Sequence, residues 1–445
     1  MRKSFIVTIL AVISICVNAQ KYSQEDWIQD IKYLKDELPR KHINLYDNLK
    51  KSDYELQLDA IAAEVPKLTD EQVSFKLQQI IAKVDDTHTS VKWSPFINEY
   101  REKNVPSACF RSYWFKDGLY IIEARQRDSI IVGKKIRTIG SVDVNTVIDS
   151  LKTLFPNENN AIKQKEIAYL IGRQQVLQHF GFAPIDENKY VDIEVEDKNN
   201  NRQKHRIVCK KDRGYSPYSS SNYLIEGAKS HSFEGWFSES YDRTDSIYFI
   251  KYNKCYGREL AIRDSKYSDK IDQVPSFNDF KESIINTVNN NSINKLIFDL
   301  RYNGGGSSWQ GTKLIRELAE IEKINGKGKI FVLIGRNTFS SATLNVLDFQ
   351  ERTDAIFIGE DTKGKPSHYG EVETMKLPNT GLKISYSKKY FYHSEKKSKT
   401  YLSKRGISRV NDKRNTFSPD YYVELSFSDF EKQKDIMYDW IKNLN

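Results

Sequence analysis

The clearest pattern in the chain is a set of short, unbroken apolar runs separated by helical stretches. The runs SIYFIKYN, LIFDL, IFVLIG and AIFIG begin at residues 246, 296, 330 and 355. Between them, residues 277–288, 311–321 and 340–350 carry apolar side chains at helical spacing. Strands without polar alternation, each followed by a helix, predict a parallel sheet covered on both faces. Ligands in such sheets collect at the carboxyl ends of the strands.

The flanking segments follow other patterns. Ser23 to Asp26 has the form of a capping box, after which Trp27, Ile31, Leu34 and Leu38 share one helical face before Pro39. Helices are also predicted around Tyr54 to Val65 and from a Thr69–Gln72 box carrying Val73, Leu77 and Ile80. Residues 20–98 therefore form a helical N-terminal unit. Residues 101–213 alternate in the manner of strands (SYWF, LYIIEA, KKIRTI, YVDIEVED, HRIVCK), with one helix over Glu166 to Phe180. The polar stretch 214–245 reads as a linker or lid. In the core, 246–445, the tail adds a hairpin, MKLPNTGLKISYSKKYFY, then a basic loop and a last helix with Phe430, Ile436, Met437 and Trp440.

Composition narrows this little. A chain of 445 residues with 39% hydrophobic content is globular and long enough for two or three domains. The net charge of +9 is spread along it, with no aromatic–basic nucleic-acid motif. Arg2 and Lys3 precede an apolar run, Phe5 to Val17, and Val17-Asn18-Ala19 fits a cleavage site. We expect a signal peptide over 1–19 and export to the periplasm or medium. No later run is long enough to cross a membrane. Beyond the signal, Cys109, Cys209 and Cys255 allow at most one disulfide. The seven histidines show no metal spacing with one another or with cysteine, so neither metal nor cofactor is expected.

Three motifs fall at the ends of the apolar strands. Asn303-Gly304-Gly305-Gly306 follows LIFDL and offers backbone amides to an oxyanion. Ser340 and Ser341 follow IFVLIG and open a helix, where a serine serves either as nucleophile or as cap. Lys365 follows AIFIG and becomes a general base if its pKa is lowered, for instance by Lys363. Gly359 to Lys365 also matches a phosphate loop, but Pro366 lacks the hydroxyl and amide that motif needs. A further cluster, Asp85-Asp86-Thr87-His88-Thr89, places a histidine beside two carboxylates, as a base or as a structural residue. Asp299 and Arg301 read as structural.

The order DLRYNGGG, TFSSAT, GEDTKGK resembles the C-terminal-processing, or tail-specific, serine peptidases. The resemblance implies an α/β fold with a ClpP/crotonase-like ββα core behind a PDZ-like module, here 101–213 with its segment Asp128 to Gly140. It implies an exported serine endopeptidase acting on polypeptides, with Ser340 as nucleophile, Lys365 as base and the amides of Ser341 and Gly305 as oxyanion hole. The chain departs from the family's pattern at Phe339, Ser341, Thr343 and Pro366, so Ser341 stays a rival nucleophile. The His88 segment resembles the D-G-H-T stretch of the tricorn-like and retinoid-binding-protein-like branches, which makes His88 the competing base. The alternative implied by the departures is a catalytically degenerate peptidase fold that binds peptides or lipophilic ligands.

Overall fold

A computed structural model describes residues 21–92, 109–184, 190–209, 235–263, 271–393 and 414–444. The signal segment and the basic loop of the tail lie outside them. The helices Gln24–Lys41, Lys51–Glu64 and Asp70–Ala82 form the N-terminal unit. Both capping boxes close: Ser23 with Asp26, and Thr69 with Gln72. The first helix runs through Pro39 into its last turn rather than stopping before it.

The strands, in chain order, are β1 (Ser90–Lys92), β2 (Phe110–Phe115), β3 (Gly118–Ala124), β4 (Lys135–Ile139), β5 (Val142–Asp143), β6 (Tyr190–Glu196), β7 (Arg202–Val208), β8 (Phe237–Asp242), β9 (Ile247–Tyr252), β10 (Lys295–Asp299), β11 (Ile330–Ile334), β12 (Ile356–Gly359), β13 (His368–Lys376), β14 (Lys383–Phe391) and β15 (Tyr421–Tyr422). One sheet has the order β15-β12-β11-β10-β9-β8. Its strands β9 to β12 and β15 are parallel, with Phe298 of β10 facing Ile250 on one side and Val332 on the other. One face packs on the helices Phe277–Asn290, Ser308–Ala319 and Ser341–Arg352. The other packs on Met437 and Ile441 of the helix Ile436–Lys442. The apolar runs are unbroken because both faces are buried.

Several expectations need correction. The stretch taken as linker includes β8, which adds antiparallel to β9 and makes the sheet mixed. The helix expected over Glu166 to Phe180 is two, Asn160–Leu170 and Gln174–His179. They part at Gly172, whose carbonyl accepts from the Cys109 amide at 2.7 Å and where any side chain would strike Phe110. The last helix is likewise split, into Phe427–Glu431 and Ile436–Lys442.

The middle segment forms an antiparallel sheet, β2-β3-β4-β6-β7, with its own core. The disulfide Cys109–Cys209 ties its two ends and leaves Cys255 buried and free. The tail hairpin β13–β14 crosses back to the N-terminal unit. There β14 pairs with β1, and Met375, Leu382 and Ile384 share a core with Trp27, Leu34 and Leu77. This crossing brings the His88 segment to the ends of the parallel strands. Among the described residues no helix is long and apolar enough to cross a membrane.

Candidate active site

Three loops meet beyond β10, β11 and β12. Thr338 fastens the first two: its Oγ1 donates to the Leu300 carbonyl at 2.8 Å and accepts from the Gly335 amide at 3.1 Å. The Phe339 amide donates to the Asn303 carbonyl at 3.1 Å. The third loop is drawn in by the Gly364 amide, which donates to the Thr338 carbonyl at 3.1 Å. Gly364 is needed for that approach, because a Cβ there would collide with Thr343 Oγ1.

Ser340 occupies the cap position of the helix Ser341–Arg352, with φ 53° and ψ −123°. A non-glycine residue at positive φ is strained, and a serine on such a strand-to-helix turn presents its hydroxyl outward. It does not act as a cap, since its side chain accepts no amide of the helix. The Ser340 hydroxyl has no hydrogen-bond partner among the described residues, and the residue is half-buried. Ser341 differs: its hydroxyl donates to the Gly306 carbonyl at 2.8 Å and it is buried. The Ser341 amide opens the helix and has no backbone acceptor among the described residues. Gly305, at φ +98°, packs so closely that a Cβ would lie 3.0 Å from Ser340 Cβ. Its amide, however, donates to Asn303 Oδ1 at 2.9 Å.

Lys365 is held in an ion pair. Its Nζ lies 2.8 Å from Glu158 Oε1, and Glu158 Oε2 accepts from Thr87 Oγ1. Burial alone would lower the Lys365 pKa, but the Glu158 carboxylate outweighs it and holds the ammonium above its ordinary value. Lys363 pairs with Glu166 at 2.6 Å, and Glu360 with Arg336 at 2.6 Å. Asp299 and Arg301 are structural: Arg301 bridges Asp299 and Asp435, both at 2.8 Å.

His88 is brought across the chain to Phe339, the residue before Ser340. Its ring stacks on Phe339, centroids 4.4 Å apart, and the His368 ring lies nearly parallel to it at 5.8 Å. Its Nδ1 faces Asp86 Oδ1 at 3.7 Å, and its Nε2 is buried without a partner. Asp86 is buried beneath it and accepts from the His88 amide, His42 Nε2, Thr89 Oγ1 and Ser387 Oγ. Burial would raise its pKa, yet the hydrogen bonds from His42, His88 and Ser387 hold the carboxyl well below the usual carboxylate range. His368 is pushed down to about 4 by burial and by His88. It is therefore neutral, and its Nδ1 lies 2.9 Å from the Lys365 carbonyl. Sequence reasoning missed Glu158, His368 and the central part of Asp86; only Asp86 had a local signal, in the Asp-Asp-Thr-His-Thr string.

The sequence matches no protein-family model and no curated protein. Among solved structures, the chain is similar to mature CPAF complexed with lactacystin, at 12% identity and TM-score 0.60, over 94% of this chain and 97% of that one. Mature CPAF alone gives 12% identity and TM-score 0.59, over 94% and 96%. The photosystem II D1 C-terminal processing protease aligns at 12% identity over 90% of this chain and 92% of that one, with TM-score 0.36. At such identities the likeness is one of fold: along nearly its whole length, this chain has the mixed α/β fold of CPAF.

Proposed function

We propose that the chain is an exported serine peptidase in which Ser340 is the nucleophile and His88 its base. The observation that carries this is that two groups without hydrogen-bond partners among the described residues belong to His88 and to the residue after its stacking partner, Phe339. An unpartnered hydroxyl stands on a strained turn, and the unpartnered Nε2 of His88 belongs to a ring stacked on the residue before it. Lys365 is the weaker base, because its ammonium is bound to Glu158 and held protonated. Ser341 is the weaker nucleophile, because its hydroxyl is committed to Gly306.

In this reading Ser340 Oγ gives its proton to His88 Nε2 and attacks the peptide carbonyl. Asp86 lies against Nδ1 and stabilises the imidazolium; a small ring rotation closes the 3.7 Å gap to a hydrogen bond. The Ser341 amide supplies one oxyanion donor at the positive end of its helix. Gly305 supplies the second only by releasing Asn303; the neighbouring Gly306 amide, which has no backbone acceptor among the described residues, is the readier donor. His88 then protonates the leaving amine. Water, deprotonated by the same ring, hydrolyses the acyl-serine and restores Ser340.

Export is supported by the Cys109–Cys209 disulfide, a bond that persists in oxidising compartments. The middle sheet, in its PDZ-like reading, takes the substrate by strand addition. The engaged Gly305 amide and the 3.7 Å His88–Asp86 separation favour a second reading, a peptide-binding protein on an inactive peptidase fold. A fluorophosphonate probe separates the two. We expect labelling of the native chain and none of Ser340→Ala; equal labelling of both would remove Ser340 as nucleophile, and no labelling of either would favour the binding protein.

A further inference from the structure

Beside the Ser340 turn lies a cleft of about 350 Å³, between β1, the helix Asn160–Leu170 and the loop that carries Lys363. Val91, Phe155, Pro156, Ile162 and Phe339 contribute apolar surface to it among polar residues, and His88 lines it. Two lysines, Lys92 and Lys363, line it, and Lys165 lies close to Lys363. Lys363 Nζ lies 4.8 Å over the Phe339 ring and pairs with Glu166 at 2.6 Å. Lys92 lines the same cleft, and its Nζ meets only Ser90 Oγ, at 3.3 Å, among the described residues. Lys165 stands one residue from Glu166 and has no ion-pair partner among the described residues.

Lys363 repels both Lys92 and Lys165. Lys92 is lowered by burial and by Lys363, and Lys165 is pushed down to about 8 by burial and by Lys363. Among the described residues Glu166 answers Lys363 and Lys165. Two other acids near His88 are already engaged: Asp86 by four donors beneath it, and Glu158 by Lys365 and Thr87. Like charges gathered on a low-dielectric wall disfavour the empty cleft and favour an incoming anion.

We propose that this cleft is a specificity subsite that takes an acidic side chain, aspartate or glutamate, of a polypeptide. The methylenes of that side chain lie on the apolar wall and its carboxylate lies between Lys92 and Lys363. Its place beside the scissile bond rests on the peptidase reading above; the binding itself does not.

The test uses the full chain carrying Ser340→Ala, so that binding is read without cleavage. The probes are short fluorescein-labelled peptides in an alanine–leucine background. One has a single glutamate and both ends blocked, its twin has glutamine in that place, and a third has glutamine and a free carboxyl end. By fluorescence anisotropy the glutamate peptide binds about tenfold more tightly than its twin, the margin of one charge-assisted contact. Lys92→Gln, at the end of β1, removes most of that margin, and Lys363→Gln, made together with Glu166→Gln so that no carboxylate is stranded, removes the rest. Equal binding of glutamate and glutamine peptides overturns the proposal, as does a preference that follows the free carboxyl end alone. Failure of the peptidase reading looks different: the native chain then binds the glutamate peptide and never cuts it.

Discussion

Asp86 is the residue on which the polar structure under His88 converges. Its two oxygens take hydrogen bonds from His42, Thr89, Ser387 and the His88 amide, so the carboxylate is fully used while buried. A carboxyl whose folded pKa is depressed adds stability above its unfolded value, about 3.9, and that stability is lost as the pH falls through the folded value. We therefore expect Asp86→Asn to cost about 1.5–3 kcal/mol near neutrality, as for a lost hydrogen-bond acceptor that carries charge. The variant should also lose less on acidification than the native chain does, with the gap closing below about pH 4. Urea unfolding at a series of pH values checks this, and parallel profiles for the two proteins would contradict it. The nearby His88–Phe339 stack is a tertiary event between residues far apart in the chain. A histidine beside two acids was visible in the sequence; the surface it would lie on was not.

At the scale of elements, the middle segment grips the loops that flank the site. Glu158 holds Lys365 and Thr87, Glu166 holds Lys363, and Asn159 Nδ2 donates to the Lys363 carbonyl at 2.9 Å. Glu158 is buried, with its side chain 5% exposed, and Lys365 is 17% exposed. Removing one member of such a pair strands the other. Lys365→Met and Glu158→Gln should each destabilise the fold by about 3–5 kcal/mol, while the double change Lys365→Met/Glu158→Gln costs far less than their sum. A double-mutant cycle from chemical denaturation measures this, and simple additivity would rule out the pair as a structural lock. The elements themselves were largely legible. β9 to β12 are apolar runs because both faces of their sheet are covered, and the capping boxes mark their helices by local hydrogen bonds. β8 was hidden because its residues Phe237 to Asp242 are mostly polar, and it is an edge strand with half-exposed side chains. Glu158 had no local sign at all, since its partner stands more than two hundred residues away.

Over the whole molecule, chain order and packing do not run together. The hairpin β13–β14 belongs by sequence to the last segment and by packing to the first. Asp30 of the first helix fixes its turn, accepting from the amides of Asn379 at 2.9 Å and Thr380 at 2.8 Å and from Thr380 Oγ1 at 2.6 Å. That crossing supports the region of His88, which the sequence alone set against Lys365 as one of two candidates. Which of them acts as base is settled most directly by the rate at which a fluorophosphonate labels Ser340 in two variants. His88→Ala should slow labelling by about 10²–10⁴-fold, the range of a lost general base. Lys365→Met/Glu158→Gln should label at a rate near that of the native chain. Rapid labelling of His88→Ala together with loss of labelling in the double variant would contradict the assignment and return the role of base to Lys365.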